Sequence, residues 1–466
     1  MLNPSLKRCL AACALLFLPS FATPFAHSQE KVPAPAKSGT PSGDKTGSLA
    51  AADEVLVQVS ALTKLSVRSP LKKSLRSREE IRAYVLRRMK EDKSKEERYA
   101  AGRAAVAFGL VPKDFQMEPF LIDLLTEQIA GLYDPEGHEF YIADWIPLEE
   151  QRMVMAHEMT HALQDQHFQI DKWMKAARPN DDAELAREAF LEGSATAAMI
   201  DYMLQGMGKS LKDLPDFDPE MLLGELGDTP TLKKAPPFIK DALIFPYFGG
   251  LKFSKALLAK SGWDALAGVF EHPPVSTQQI LHPELYPDGR PPEHPALKVN
   301  AKVLRGEWKQ LDDNSLGEFG WKEILQQGLG KDRATALASA WSGDRYILFE
   351  EKNSRKLVLI YRVTWSDAEH ASRFLGQYSE ALEKKYAIRG NLFRRSNFFS
   401  FEAPDGPVAL RCMDRDCVVI EGGNRVFLDD VYGQIGWSPA PELPKDWGRI
   451  PAKTAFVPLY LTFGYR

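Results

Sequence analysis

Residues 154–166 read VMAHEMTHALQDQ. In a helix, His157 and His161 lie four apart and project one above the other on a single face. Glu158 sits about 100° further round, too far to join that pair as an equivalent ligand but within reach of what the pair holds. The flanks are apolar: Met153, Val154, Met155 and Ala156 precede His157, and Ala162 and Leu163 follow His161. They describe a largely buried helix, where two imidazoles and a carboxylate are costly unless something satisfies them. A divalent cation would do so. Two histidines from one turn suit two corners of a zinc tetrahedron, and a carboxylate beside them suits proton transfer to and from an activated water. The fold must therefore bury this helix and bring it a third ligand. One Zn2+ per chain is expected.

Glu184, Glu188 and Glu192 share a stripe at four-residue spacing on the next helix in the chain. Glu192 is the expected third ligand, because Gly193, Ser194, Ala195, Ala197 and Ala198 follow it. Small residues let two helix backbones approach closely enough for a short carboxylate to reach the metal. Glu184 and Glu188 have bulkier neighbours (Leu185, Arg187, Phe190) and are expected behind the ligands or in solvent. The predicted metal ligands are thus His157, His161 and Glu192, with Glu158 as general base.

The rest of the chain divides by composition. Lys7 and Arg8 precede an apolar run from Cys9 to Ala22, and Ala26-His27-Ser28 offers small residues for cleavage. Residues 1–28 read as a secretory signal peptide, so the protein is expected to be exported, periplasmic or extracellular. Residues 29–52, rich in Pro, Ser, Gly, Ala and Lys, read as a disordered linker. Helical periodicity starts with a capping box, Ser77 with Glu80, ahead of Ile81, Tyr84, Val85 and Met89. The stretch after Pro147 carries His157, Glu139 to Asp144 alternates like a strand before it, and the Glu192 helix is expected to be capped at Asp181 or Asp182. The Pro-rich HPELYPDGRPPEHPALKV closes this first domain near residue 298. Beyond it, RYILFE, KLVLIYRVTW, FFSFEAP, PVALRCM and CVVIEGG read as strands around one clear helix, SDAEHASRFLGQYSEALEKKY.

The expected fold class is α+β: a mainly helical domain over 53–298 with a short sheet, then a smaller α+β domain over 299–466. In an oxidising compartment Cys412 and Cys417 are expected to pair across a hairpin, and Asp344 is expected to pair with Arg345. No segment after the signal peptide is apolar enough to span a bilayer. Lys plus Arg (59) against Asp plus Glu (63) leaves a net charge of −4, which argues against a nucleic-acid partner. The expected partner is a peptide or protein substrate.

HEMTH followed by LEGSAT resembles the gluzincins, the thermolysin-like clan of zinc metallopeptidases. The strings GLYDPEGHEFYIAD, HALQDQHF and PPVSTQQILHPELY are similar to a group of exported bacterial proteins in that clan, from about residue 75 onward. The resemblance implies a zincin-like fold, the same three ligands and Glu158 as base. It also implies an edge strand before the metal helix, here HEFYIAD, and a downstream His or Tyr that steadies the transition state. His282 and Tyr286 are the candidates for that last role, with Tyr247 and Tyr133 behind them. Many relatives carry an acidic residue where this chain has Ser194, so Thr196 is expected to orient a histidine instead. Asp165 is a further candidate for the layer behind the ligands. His167 points off the metal face. The rival readings are a catalytically silent metal-binding envelope protein whose C-terminal domain binds a partner, and a metal-free envelope protein. Neither has a use for Glu158.

Overall fold

The computed structural model describes residues 45–129, 131–215, 230–388 and 392–442. The expected signal peptide, the linker up to residue 44 and the last part of the C-terminal domain lie outside the described residues. The first part of the chain runs α1 (Lys45–Thr63), β1 (Lys72–Arg76), α2 (Arg78–Asp92), α3 (Lys95–Ala107), α4 (Met117–Gln128), β2 (Gly131–Asp134) and β3 (Glu139–Ala143). It continues through α5 (Leu148–Phe168), α6 (Ile170–Lys175), α7 (Asp181–Leu204), α8 (Pro230–Lys233), α9 (Pro237–Ser261), α10 (Trp263–Gly268) and α11 (Thr277–Leu281). The second part is β4 (Trp308–Asn314), α12 (Gly317–Leu329), α13 (Lys331–Ala338), β5 (Trp341–Glu351), β6 (Leu357–Trp365), α14 (Ala368–Tyr386), β7 (Phe393–Arg395), β8 (Phe398–Ala403), β9 (Gly406–Met413), β10 (Asp416–Glu421) and α15 (Arg425–Gln434).

Local chemistry explains several helix starts. Ser77 with Glu80 and Ser94 with Glu97 form reciprocal capping boxes on α2 and α3. The cap of α7 is Asn180, whose side chain accepts from the Ala183 N–H, not Asp181 or Asp182. Asp182 is buried and used elsewhere. Residues 45–52, expected as the end of a disordered linker, instead form the start of α1. Ala51, Ala52, Val55, Leu56 and Val59 pack on Met155, Ala156, Met159 and Leu163 of α5. Alanines close in space bury well even where their mean hydropathy looks unremarkable.

A three-stranded sheet of order β1-β3-β2 sits beside the metal helix. β3 pairs parallel with β1 and antiparallel with β2. The strand HEFYIAD, expected at the edge, is therefore the middle strand. The outer strands are β1 and β2, and β2 is the one whose Tyr133 N–H meets α5.

The second part holds a seven-stranded antiparallel sheet of order β4-β5-β6-β10-β9-β8-β7. The β9–β10 register sets Cys412 opposite Cys417, and the two form a disulfide. α14 covers one face through Phe374 and Tyr378, against Trp321 of α12 and Tyr361 and Trp365 of β6. α15 packs Phe427, Leu428, Val431 and Tyr432 on the other. Asp344 and Arg345 do not pair. Adjacent strand residues point to opposite faces, so Asp344 turns inward and Arg345 pairs with Asp313 at 2.7 Å.

One apolar core crosses the Pro-rich stretch and joins the two parts. Phe108, just after α3, meets Tyr346 and Tyr361 of the large sheet, and Phe245 of α9 stacks on Phe319 of α12 at 4.3 Å. The protein is thus mixed α/β, with a C-terminal antiparallel sheet. Among the described residues no helix is long and apolar enough to cross a membrane.

Candidate metal centre

α5 and α7 pack side by side and bring together His157, His161 and Glu192, all buried. Nε2 of His157 lies 3.1 Å from Nε2 of His161 and 3.1 Å from Oε2 of Glu192. Nε2 of His161 lies 3.4 Å from the same oxygen. Ligands at zinc's usual bond lengths, placed on a tetrahedron, are separated by about 3.3 Å. The three atoms therefore fit three corners around one small cation, and the group can hold a metal ion.

Electrostatics of the bare cluster agree with that use. Burial pushes the His157 imidazole down to about 4, which keeps it neutral and its nitrogen free to ligate. Burial opposes the charge on Glu192 too, but the adjacent His161 and the hydrogen bonds from both histidines outweigh it and hold the carboxyl at about 2. For His161, burial acts downward and the Glu192 carboxylate overrides it upward. A carboxylate beside two imidazoles already has the charge pattern a cation would meet.

Glu158, next to His157 but round the helix, turns toward β2. Its Oε2 accepts the backbone N–H of Tyr133 at 2.7 Å, and its Oε1 has no hydrogen-bond partner among the described residues. Burial pushes this carboxyl up to about 8, against the opposing pull of His161 and the Tyr133 N–H. Of the two carboxyls in the group, Glu158 is the one whose basicity burial raises toward the working range of a general base.

The structure assigns the supporting residues differently from the sequence reading. Nδ1 of His161 meets Oε1 of Gln164 at 3.2 Å, the Gln164 amide donates to Oγ of Ser194 at 2.8 Å, and Ser194 donates to the Leu191 carbonyl. This chain keeps the Nδ1 proton in place and leaves Nε2 bare for a metal. Gln164 was missed because a helical glutamine carries no sequence mark that separates it from a solvated one. Thr196, expected to orient a histidine, does not: its hydroxyl has no partner among the described residues. Asp165 holds Tyr133 and His138 instead of a metal histidine.

Glu184 and Glu188 are both buried, and Glu184 is paired with Arg178 at 2.8 Å. His167 bonds to the Ser66 carbonyl, away from the cluster. His282 binds Glu318 at 2.8 Å, and the Tyr286 hydroxyl donates to the His272 carbonyl. Neither hydrogen-bonds to or stacks on the cluster. The aromatic residue that does is Tyr247 of α9, whose ring stacks on His157 with centroids 6.2 Å apart.

Among the small residues after Glu192, Gly193 serves a helix other than the expected one, while Ser194 faces α5 through Gln164. Gly193 faces Gly250 of α9, where a Cβ on Gly193 would stand 1.9 Å from the Gly250 carbonyl carbon. A Cβ on Gly250 would stand 1.7 Å from the Ala189 carbonyl oxygen. α9 thus presses on α7 at backbone contact and brings Tyr247 to His157. The N-terminal end of α7 is held from the second part of the chain. Asp182 accepts from the N–H and hydroxyl of Thr277, the Asp181 N–H donates to Asn314, and the Cα of Gly317 abuts the Asp182 carboxylate.

Residues 304–432 match a family model described as a domain of unknown function (DUF8575). The match takes in the seven-stranded sheet but neither α5 nor α7. No curated protein and no solved structure matches the chain.

Proposed function

We propose that the protein is an exported zinc metallopeptidase of the gluzincin type. The observation that carries this reading is the convergence of His157, His161 and Glu192 within ligand spacing, with Glu158 buried beside them and one carboxylate oxygen uncommitted. A purely structural metal site needs no such base.

Zinc held by the three ligand atoms would supply a Lewis acid that polarises a peptide carbonyl and lowers the pKa of a water to about 7. The chain's own residues do the rest. Glu158 takes a proton from the attacking water through Oε1 and returns it to the leaving nitrogen, while Oε2 stays on the Tyr133 N–H. Gln164 and Ser194 keep His161 in the tautomer that presents Nε2. β2 turns the edge that no other strand covers toward Glu158, which takes the Tyr133 N–H. An extended peptide adding to that edge would pair with its main-chain groups other than the Tyr133 N–H, with little side-chain preference. The substrate-pairing role expected for HEFYIAD, residues 138–144, accordingly passes to 131–134.

Elemental analysis and a peptide-library assay test the reading together. The expected result is one zinc per chain and hydrolysis of internal peptide bonds, abolished in Glu158→Gln with zinc retained. Zinc binding without hydrolysis would leave a silent metal-binding protein. Absence of zinc would exclude both.

A further inference from the structure

Tyr133 is tied to the metal helix at two points. Its backbone N–H donates to Glu158 at 2.7 Å, and its hydroxyl donates to Oδ2 of Asp165 at 2.8 Å. Glu158 and Asp165 are seven residues apart on α5, two turns or about 10 Å along the axis.

Asp165 is fully engaged in this. Its Oδ2 also meets Nδ1 of His138 at 2.9 Å, its Oδ1 accepts the Ile170 N–H at 3.1 Å, and the side chain is buried. A buried carboxylate saturated on both oxygens has one place to be. It fixes the phenol of Tyr133, the phenol fixes the Tyr133 backbone, and the backbone fixes the direction of the N–H that meets Glu158. The need for such a lock follows from the sheet. β2 is four residues long and paired on one side, so its ladder alone defines the outward N–H weakly. Without Asp165 the hydrogen bond from the Tyr133 N–H to Glu158 would be left to hold Tyr133 to this face of the helix.

We infer that Tyr133, locked by Asp165, is a positioning residue that dedicates Oε2 of Glu158 to the strand and leaves Oε1 as the oxygen that carries the proton. This rests on the peptidase reading and adds residues to it that the HExxH pattern does not contain. Tyr133→Phe keeps the ring and the N–H and removes the hydroxyl's bonds to Asp165 and to Nδ1 of His138, and Asp165→Asn weakens the lock from the other side.

The test uses the full-length, zinc-loaded protein with each substitution alone and combined with Glu158→Asp. The expected result is a fall in kcat of about tenfold with KM within twofold of wild type and zinc content unchanged. In the Glu158→Asp background, where the shorter carboxylate has left the N–H, the same substitutions should change kcat less than twofold. Unchanged kcat in both single variants, or full additivity with Glu158→Asp, overturns the inference. Amide hydrogen exchange of the 131–140 segment gives an arm that needs no turnover. Faster exchange in Tyr133→Phe and Asp165→Asn supports the lock, and unchanged exchange in both overturns it. A wild type that holds zinc but cleaves nothing is the separate failure of the peptidase reading, and the exchange arm still decides the lock.

Discussion

Nε2 of His157 and Nε2 of His161 face one another across 3.1 Å, in rings set 78° apart, with the Glu192 carboxylate closing the triangle. Two imidazole nitrogens aimed at each other share one proton at most, so the arrangement is poor as a hydrogen-bonded pair and good as two ligands. Zinc binding should therefore stabilise the fold by mass action, by about 2.7 kcal/mol at a free metal concentration one hundred times Kd. Thermal unfolding with and without a chelator checks this. His157→Ala and Glu192→Ala should lose both the metal and its stabilising effect. An unchanged Tm on chelation would mean that no metal is held there.

Gln164→Ala should weaken zinc about 10- to 100-fold, the usual cost of removing a residue that orients a metal-bound histidine. Ser194→Ala should do less, because it frees the Gln164 amide without removing the acceptor on His161. Chelator competition measures both. Affinities within twofold of wild type would show that His161 needs no orienting partner.

Gly193→Ala and Gly250→Ala each drive a methyl into backbone of the facing helix. Each should cost about 3 kcal/mol or more and reduce zinc content, since α7 carries Glu192. Gly206→Ala is the control, because a Cβ there meets no atom within 4 Å. Melting curves and metal analysis of the three variants decide the matter, and equal behaviour would contradict the close approach.

Glu323 of α12 is buried near Asp241 of α9, with the Gln326 amide donating to both carboxylates at 2.7 Å. Burial, reinforced by Asp241, pushes the Glu323 carboxyl up to about 8. A carboxyl raised in the folded state gives stability that is complete below its unfolded value and is lost as pH climbs through about 8. Glu323→Gln mimics the protonated form. It should come close to the wild-type Tm at about pH 4, below the unfolded carboxyl value, and exceed it at about pH 9. Parallel Tm profiles over that range would refute the assignment.

Period and capping chemistry made much of this architecture readable. Ser77 and Glu80 announce α2, the strand alternation announces the large sheet, and HExxH places two imidazoles on one face with no tertiary information. Glu192 was recoverable because a carboxylate one helix downstream is what such a pair lacks. The misses share one cause: their meaning lies in the partner, which sequence does not name. Ala51 and Ala52 look like linker until α5 lies against them. Gly193 is fitted to Gly250, not to the His157 helix. β3 alternates as an edge strand would, and only β1 on its far side makes it central. His282 and Tyr286 were drawn in by resemblance, whereas their bonds to Glu318 and the His272 carbonyl come from their own loop's surroundings.

The anchoring of α7 by Thr277, Asn314 and Gly317 fixes an order of events. A ribosome delivers Glu192 well before the residues that steady its helix, and Asp344, which accepts the Leu316 and Gly317 N–H groups, comes later still. A chain truncated before Thr277 would lack these anchors on the N-terminal end of α7. On the proposed reading, the helix that carries Glu192 is therefore fully steadied only in a chain that has its C-terminal sheet, which couples the peptidase centre to the part of the protein that holds no ligand.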